Sequence, residues 1–435
     1  MSDNRLVLGY DLSRDFIQIS YMQLGSYKPE TFNFRTDKEL YNMPLRLAKR
    51  KGVNQWFVGE EAISCVTSGD GIEITNLYEK VMRGDTIHVS DGAETRDYTS
   101  AELLGLFIKK SFAPMGFVLG GKQIEALVIT MSTIDQTFLS ALKEAAGMLK
   151  IAQDRIFYQN HEESAFFYLI HQPLQLISNE VCLFDFTDTF MTSYRVTMNR
   201  KTKPIVTKIA RMEHSGIRKP EEDILQAQKD AYYDNLDQAL LKLLGQSFAD
   251  EQIKSIYLVG SGFEGEWYQR TLGFLCRDKK VFGGDNLYSR GAALAAAERI
   301  SPSAISSEYV LLGKEKLQAN IGLRVLNGDE VVYEPVLDAG TAWHEAAYEK
   351  DFILVEGNEV EFIITPVMGG NVRSVTVELA ELKGRPMSST RLRMKVFMEA
   401  PSVVSVEITD LGFGAFFAPI DQKWVKQIAI GEEDE

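Results

Sequence analysis

Between Arg5 and Leu24 the chain runs RLVLGYDLSRDFIQISYMQL: an apolar stretch, a polar turn at Ser13–Asp15, then the alternation Phe16, Ile17, Gln18, Ile19, Ser20, Tyr21. A period of two on one side of a short polar break predicts a pair of strands that return on each other. Residues 36–100 lose this regularity. Gly69, Gly71, Gly84 and Gly92 break them up, and they read as an inserted subdomain. SAELLGLFIKKSFAPM then gives a helix with Leu103, Leu104, Phe107 and Ile108 on one face. IEALVITMS is a buried strand, and the helix after it is expected to open on a capping box at Ser132 and Asp135, with Ile134, Phe138, Ala141 and Ala145 as its apolar stripe. Strand and helix alternate again through EESAFFYLI, IKSIYLVGSG into GEWYQRTLGFL, and SRGAALAAAERI. Such alternation predicts an α/β domain whose sheet is covered by helices.

After Pro302 the period changes. From Tyr309 to Ile430 short alternating runs dominate, among them EVVYEPVL, LRMKVFME and SVVSVEITDL, with turns at Asn327-Gly328, Gly357-Asn358 and Gly369-Gly370. That pattern predicts a separate all-β sandwich or barrel over 308–430. The last residues, GEEDE (431–435), read as a solvated acidic tail.

Composition narrows the function more than the fold. At 435 residues the chain is too long for one core, so two or three domains are expected. A net charge of −14 without clustered Lys and Arg argues against nucleic acid as a partner. No apolar run of about 20 residues is present to span a membrane, and MSDNRLVLGY lacks the layout of a signal peptide. Cys65, Cys182 and Cys276 are far apart and show no metal-ligand spacing, so they read as small buried hydrophobes. A cytoplasmic setting is expected.

Three stretches, in this order, resemble the actin-like ATPase superfamily and specifically the 70-kilodalton heat-shock chaperones. VLGYDLSRDFIQI is similar to that family's first phosphate hairpin, Asp-Leu-Gly-Thr-Thr. KEAAGMLKIAQDRIFYQNHEESAFFYLI looks like the region carrying Asn-Glu-Pro-Thr-Ala-Ala. IYLVGSGFEGEW with NLYSRGAALAAA resembles the adenosine loop and the helix after it. Between the second and third lies LFDFTDTFMTSYRV (183–196), where the family has its second phosphate hairpin, Asp-Leu-Gly-Gly-Gly-Thr. LQANIGLRVLNG and VELAELKGRPMSSTRLRMKVFMEAPSVVSVEITDLGFG look like the first and last strands of the chaperones' substrate-binding sandwich. The chain is thus similar to a divergent bacterial-type member, with no helical lid following the sandwich.

The resemblance implies a two-lobed actin-like (ribonuclease-H-like) α/β domain over 1–302, with insertions at 36–100 and, reduced, at 201–254, followed by the β-sandwich. It implies ATP or ADP with Mg2+ as ligands if the site works. Asp11 and Asp185 would be the metal-side carboxylates, Glu162 the carboxylate that positions water, and Lys80 the phosphate-contacting lysine. Ser13, Arg14 and Asp15, then Thr187, Asp188 and Thr189, would form the two phosphate turns, and Gly260, Ser261, Gly262 and Phe263 the adenosine loop. The turns depart from the pattern: they lack the glycines that let backbone N–H groups approach a phosphate. A carboxylate about 4 Å from a phosphate costs on the order of 4 kcal/mol at an effective dielectric near 20, so Asp15 and Asp188 oppose the ligand. The stretch 201–254 holds one short strand and a helix, too little to cover an adenine. The expectation is therefore a degenerate site on a scaffold that binds a peptide or protein through its β domain. The alternative is an active ATP-hydrolysing chaperone-like machine.

Overall fold

In the computed structural model the described residues are 5–90, 95–220, 225–247, 252–284, 286–328, 330–367, 370–382 and 385–430. The expected acidic tail, Gly92 and Gly369 lie outside them. The first sheet is built from β1 (Arg5–Leu12), β2 (Phe16–Gln23), β3 (Glu30–Thr31), β4 (Gln123–Met131) and β5 (Ile156–Asn160), in the order β5-β4-β1-β2-β3. β1 runs antiparallel to β2 and parallel to β4, which is parallel to β5. β1 is buried at every position but its first, as a strand covered on both faces must be.

A second sheet repeats this plan. β6 (Glu180–Asp185), β7 (Phe190–Asn199), β8 (Ile205–Arg218), β9 (Ile253–Val259) and β10 (Lys280–Gly283) lie in the order β10-β9-β6-β7-β8. β6 is antiparallel to β7 and parallel to β9, and β9 is parallel to β10. In both sheets the first strand therefore sits in the middle, between its hairpin partner and a parallel neighbour.

The segment expected to be an insertion, 36–100, folds as small sheets and short helices, including α1 (Leu77–Arg83) and the hairpin Thr86–Ser90/Thr95–Thr99. α2 (Ser100–Ser111) opens on a capping box: the Glu102 amide donates to Thr99 Oγ1 at 3.0 Å, and the Thr99 amide to Glu102 Oε2 at 2.8 Å. α3 (Gln136–Ala146) starts later than its sequence suggests. Asp135 is the cap, accepting from the Phe138 amide at 2.8 Å, whereas Ser132 is left in a cleft described below. α4 (His161–Ile170) follows β5 and is capped by Asn160, whose side chain accepts from the Glu163 amide at 2.9 Å. Within 201–254 the strand is not short: β8 has 14 residues. Its outer half is mostly exposed, which removes the alternation that would have marked it. α5 (Gln226–Ser247) sets Leu236, Leu240 and Leu244 against Phe184, Phe186, Ile256 and Leu258.

α6 (Leu287–Ile300) packs on β1, β4 and α4. Its alanines 292 and 295–297 join Val7, Ala126 and Val128 in one core. Two glycines make this approach possible. A Cβ on Gly9 would lie 2.1 Å from the Ser289 carbonyl oxygen, and one on Gly291 would lie 2.0 Å from that of Ser164. Neither is a real contact distance, so both positions require glycine.

The chain divides into two compact units after Tyr309, later than the change of period at Pro302. The reason is local: Glu298 on α6 accepts from the Ser303 amide (2.6 Å) and hydroxyl (2.7 Å), and Ser303 caps the short helix Ala304–Glu308. These residues are held by the first unit.

The second unit contains two four-stranded antiparallel sheets. β11 (Ala319–Asn327), β12 (Glu330–Leu337), β14 (Glu359–Pro366) and β15 (Arg373–Glu378) form one in the order β12-β11-β14-β15; β13 (Ala347–Leu354), β16 (Thr390–Ala400), β17 (Val403–Gly412) and β18 (Lys423–Ala429) form the other in the order β13-β16-β17-β18. Their buried faces carry Ile321, Leu323, Phe362, Ile364, Leu392, Met394, Val396, Val404, Val406 and Ile408. Both pairs of edges are bridged by side chains. Tyr348 and Lys350 on β13 donate to Glu334 on β12, and Lys426 on β18 donates to the Thr376 carbonyl on β15 at 2.7 Å.

Candidate functional site

Asp11 and Asp185 stand at equivalent points of the two sheets. Asp11 is opposite Thr130 near the end of β1, and Asp185 is opposite Val259 at the end of β6. Both are buried. Buried carboxylates need partners, and here the protein supplies them. His161 Nε2 donates to Asp11 Oδ1 at 2.8 Å. Asp185 Oδ1 accepts from the Thr187 amide at 2.9 Å, and Oδ2 accepts from the Tyr288 hydroxyl at 2.6 Å. The rings of His161 and Tyr288 are stacked, so the four side chains form a continuous array from one sheet to the other. Tyr288 reaches this place because α6 lies so close to β1 and α4.

Burial pulls the His161 imidazolium pKa down, but Asp11, with smaller contributions from Asp185 and Asp188, outweighs it and leaves the pKa above its ordinary value. Burial and then the Asp185 charge hold Tyr288 well above the usual phenol range. Tyr288 is a neutral donor and His161 a candidate buried cation.

A polar cleft opens beside this array, lined among others by Ser13, Arg14, Tyr78, Ser132, Tyr194 and Arg211, with His161, Asp185, Thr187 and Asp188. The buried Ser13 hydroxyl takes no hydrogen-bond partner among the described residues. Arg14 is turned to Glu79 of α1 at 3.1 Å. Tyr78, rather than Lys80, is the α1 residue that lines the cleft; Lys80 is half-buried elsewhere on the helix. Glu162, next to His161, is half-buried, and its charge acts on Tyr194. Asp188 and Thr189 are exposed on the β6–β7 turn.

The loop 260–263 makes its close approach to the protein itself. Gly260 has φ +100°, and a Cβ there would lie 2.4 Å from the Thr187 nitrogen; a Cβ on Gly262 would lie 2.3 Å from the Phe186 ring. The Gly262 amide donates to the Phe186 carbonyl at 2.9 Å. Phe186, Phe263 and Trp267 cluster beneath the loop, and the Trp267 indole donates to the Gly262 carbonyl at 2.9 Å. Phe263 is buried in that cluster. The amide of Lys219 donates to the Thr189 carbonyl, and its ammonium to the Thr187 carbonyl and Ser261 Oγ.

Asp11, Asp185, Ser13, Arg14, Thr187 and Asp188 are thus brought to one place, whereas Lys80 and Phe263 are not. Sequence reasoning missed His161, Tyr288 and Lys219. The first directly follows Asn160, the cap of α4. Nothing in the sequence marks Lys219.

Magnesium takes oxygen ligands in near-octahedral geometry. Asp185 has both oxygens committed to protein donors, and Asp11 has one on His161. Among the described residues no group of three or more His, Cys, Asp or Glu side chains is placed to hold a metal ion. A magnesium ion or its waters at these two aspartates would have to use the lone pairs that those bonds leave.

The protein is a mixed α/β chain with a strand-rich C-terminal unit. A family model described as "Family of unknown function (DUF5716) C-terminal" matches residues 28–314, more than half of the chain, and the chain belongs to that family. A second model, "Domain of unknown function (DUF8552)", matches residues 316–430. No curated protein matches the chain. No described helix is long and apolar enough to cross a membrane.

Proposed function

We propose that the first unit is a two-lobed actin-like domain, similar to that of the 70-kilodalton heat-shock chaperones, whose nucleotide site is degenerate, and that the chain is a peptide- or protein-binding scaffold. The repeated strand order supports the fold reading, with one hairpin-bearing first strand in the middle of each sheet. The observation that carries the function is the Asp11–His161–Tyr288–Asp185 array. The carboxylates that would face metal and phosphate are engaged by side chains of the protein. The second unit, read as a β-sandwich, exposes the single apolar side chains Phe416 (85% exposed) and Met387 (66% exposed). Its bridged sheet edges disfavour binding by strand addition.

Calorimetric titration of the full chain with ATP and ADP, with and without magnesium, tests this reading. No saturable heat is expected. Magnesium-dependent binding with turnover would overturn it and favour the runner-up, an ATP-hydrolysing chaperone-like machine, for which the equivalent placement of Asp11 and Asp185 speaks.

A further inference from the structure

We propose that His171 and Glu298 form a proton-operated clasp on the segment that leads into the second unit. The clasp is closed while the His171 ring carries both of its protons, and loss of one frees residues 301–308. It involves none of the residues around the cleft.

His171 follows directly on α4 and is buried against Glu298 of α6, their side chains 4% and 3% exposed. The ring meets an acceptor at each nitrogen. Nδ1 lies 2.8 Å from the Phe167 carbonyl oxygen, and Nε2 lies 2.8 Å from Glu298 Oε1. A carbonyl oxygen only accepts. So does the Glu298 carboxylate: burial would raise its pKa, but the bonds from His171 and Ser303 bring it down to about 2, and it is ionised. A neutral imidazole has one donor and one acceptor nitrogen, whereas the imidazolium has two donors. Only the imidazolium makes both bonds. The helix adds to this preference. Phe167 carries one of the last four carbonyls of α4, which lack partners within the helix, and a cation there meets the negative end of the helix dipole.

Glu298 passes the hold on to the connecting segment. It accepts from the Ser303 amide at 2.6 Å and the Ser303 hydroxyl at 2.7 Å, and Ser303 caps Ala304–Glu308. Tyr27 joins the same segment to the ring. It stacks on His171, centroids 5.4 Å apart and planes 15° from parallel, and its hydroxyl donates to the Ser301 carbonyl at 3.2 Å. Tyr27 does so from a left-handed backbone (φ 49°), a conformation that a tyrosine keeps only where its surroundings fix it. Arg299, next on α6, engages the Phe157 ring (4.8 Å to its centroid) and Glu163 (3.6 Å), and Lys28, beside Tyr27, is exposed. Loss of a proton from His171 sets a bare nitrogen against an acceptor and strips Glu298 of its buried counter-charge. These groups regain partners only if the clasp opens to water.

Two readouts on the full chain from pH 5.5 to 9 test this: nitrogen NMR spectra of the histidine rings, and hydrogen exchange at 301–308 corrected for its intrinsic pH dependence. The His171 signal is assigned by its absence in His171→Gln or, if that variant does not fold, by its shift in Ser303→Ala. At pH 5.5 both ring nitrogens are expected to carry protons, with 301–308 protected. As the ring loses a proton, exchange at 303–308 should quicken about tenfold or more, an opening cost lower by about 1.4 kcal/mol. Glu298→Gln should exchange fast there at every pH and lose the pH response. A His171 ring with one proton at pH 5.5 overturns the proposal. So does a ring that keeps both to pH 9, since nothing would then operate the clasp. Exchange at 301–308 that ignores the ring's loss of its proton overturns it too.

Discussion

The imidazole of His161 lies flat on the ring of Tyr288, with centroids 3.9 Å apart and planes 7° from parallel. Each ring carries its polar atom to a different aspartate, His161 to Asp11 and Tyr288 to Asp185. The two halves of the first unit thus meet through a stacked pair of rings with a buried carboxylate at either end.

Tyr288→Phe keeps the stack and deletes only the hydroxyl. Asp185 Oδ2 then loses its 2.6 Å donor in a buried setting. A buried acceptor left without its partner costs about 1–3 kcal/mol, so urea unfolding should show a loss of that size. A loss below about 0.5 kcal/mol would mean that water replaces the hydroxyl freely and that the array is not closed.

The raised pKa of His161 makes stability depend on pH in a definite direction. The folded state holds the imidazolium more tightly than the unfolded chain does, so the contribution is fully present below the unfolded value of about 6.5 and is lost as pH rises through the higher folded value. Urea midpoints from pH 6 to 8.5 should fall for wild type relative to His161→Gln. Parallel curves for the two proteins would show that His161 binds its proton no more tightly in the folded state than in the unfolded one.

The sequence made some of this legible and hid the rest for physical reasons. Asp11 and Asp185 announced themselves because each ends an apolar run at a polar turn. β16 was plain because its buried and exposed positions alternate strictly from Thr390 to Val396. β8 was mistaken for a short strand because exposure on both faces erases the period of two. Tyr288 was invisible as a site residue: its role depends on a helix docking at backbone distance, which Gly9 and Gly291 permit but do not advertise. Gly260 and Gly262 signalled close approach, yet glycine cannot say whether a ligand or Phe186 is what approaches.

That docking can be probed at Gly291. On propensity alone, Gly→Ala inside a helix should stabilise by about 1 kcal/mol. Here the new methyl would lie 2.0 Å from the Ser164 carbonyl oxygen, a backbone atom that cannot swing away. α6 must shift off α4, and Gly291→Ala should lose about 1–3 kcal/mol or more. Near-ultraviolet circular dichroism should change with it as Tyr288 leaves His161. A more stable variant with an unchanged spectrum would contradict the close packing.

The second unit offers the largest expected loss. Arg385 and Asp410 form a two-pronged pair, Nη1 to Oδ1 at 2.8 Å and Nη2 to Oδ2 at 2.6 Å, and the Asp410 side chain is completely buried. Asp410 also accepts from the amides of Gly412 (3.0 Å) and Ile420 (2.7 Å), while Arg385 donates to the Ala418 carbonyl at 3.0 Å. The pair therefore pins both ends of the loop that carries Phe416. Burial alone would raise the Asp410 pKa, but the bonds from Arg385 and the two amides hold it below the ordinary carboxylate value. The stability it gives is present above about pH 3.9 and is lost as pH falls through the lower folded value. Asp410→Asn leaves the guanidinium buried without its counter-charge, at a cost of about 3–5 kcal/mol. Replacing both partners with apolar residues of similar volume should cost much less, because no unpaired charge remains. Hydrogen exchange across 390–429 in the full chain reads the second unit separately from the first. If Asp410→Asn and the double replacement lose protection equally, the loop is held by packing and not by this pair.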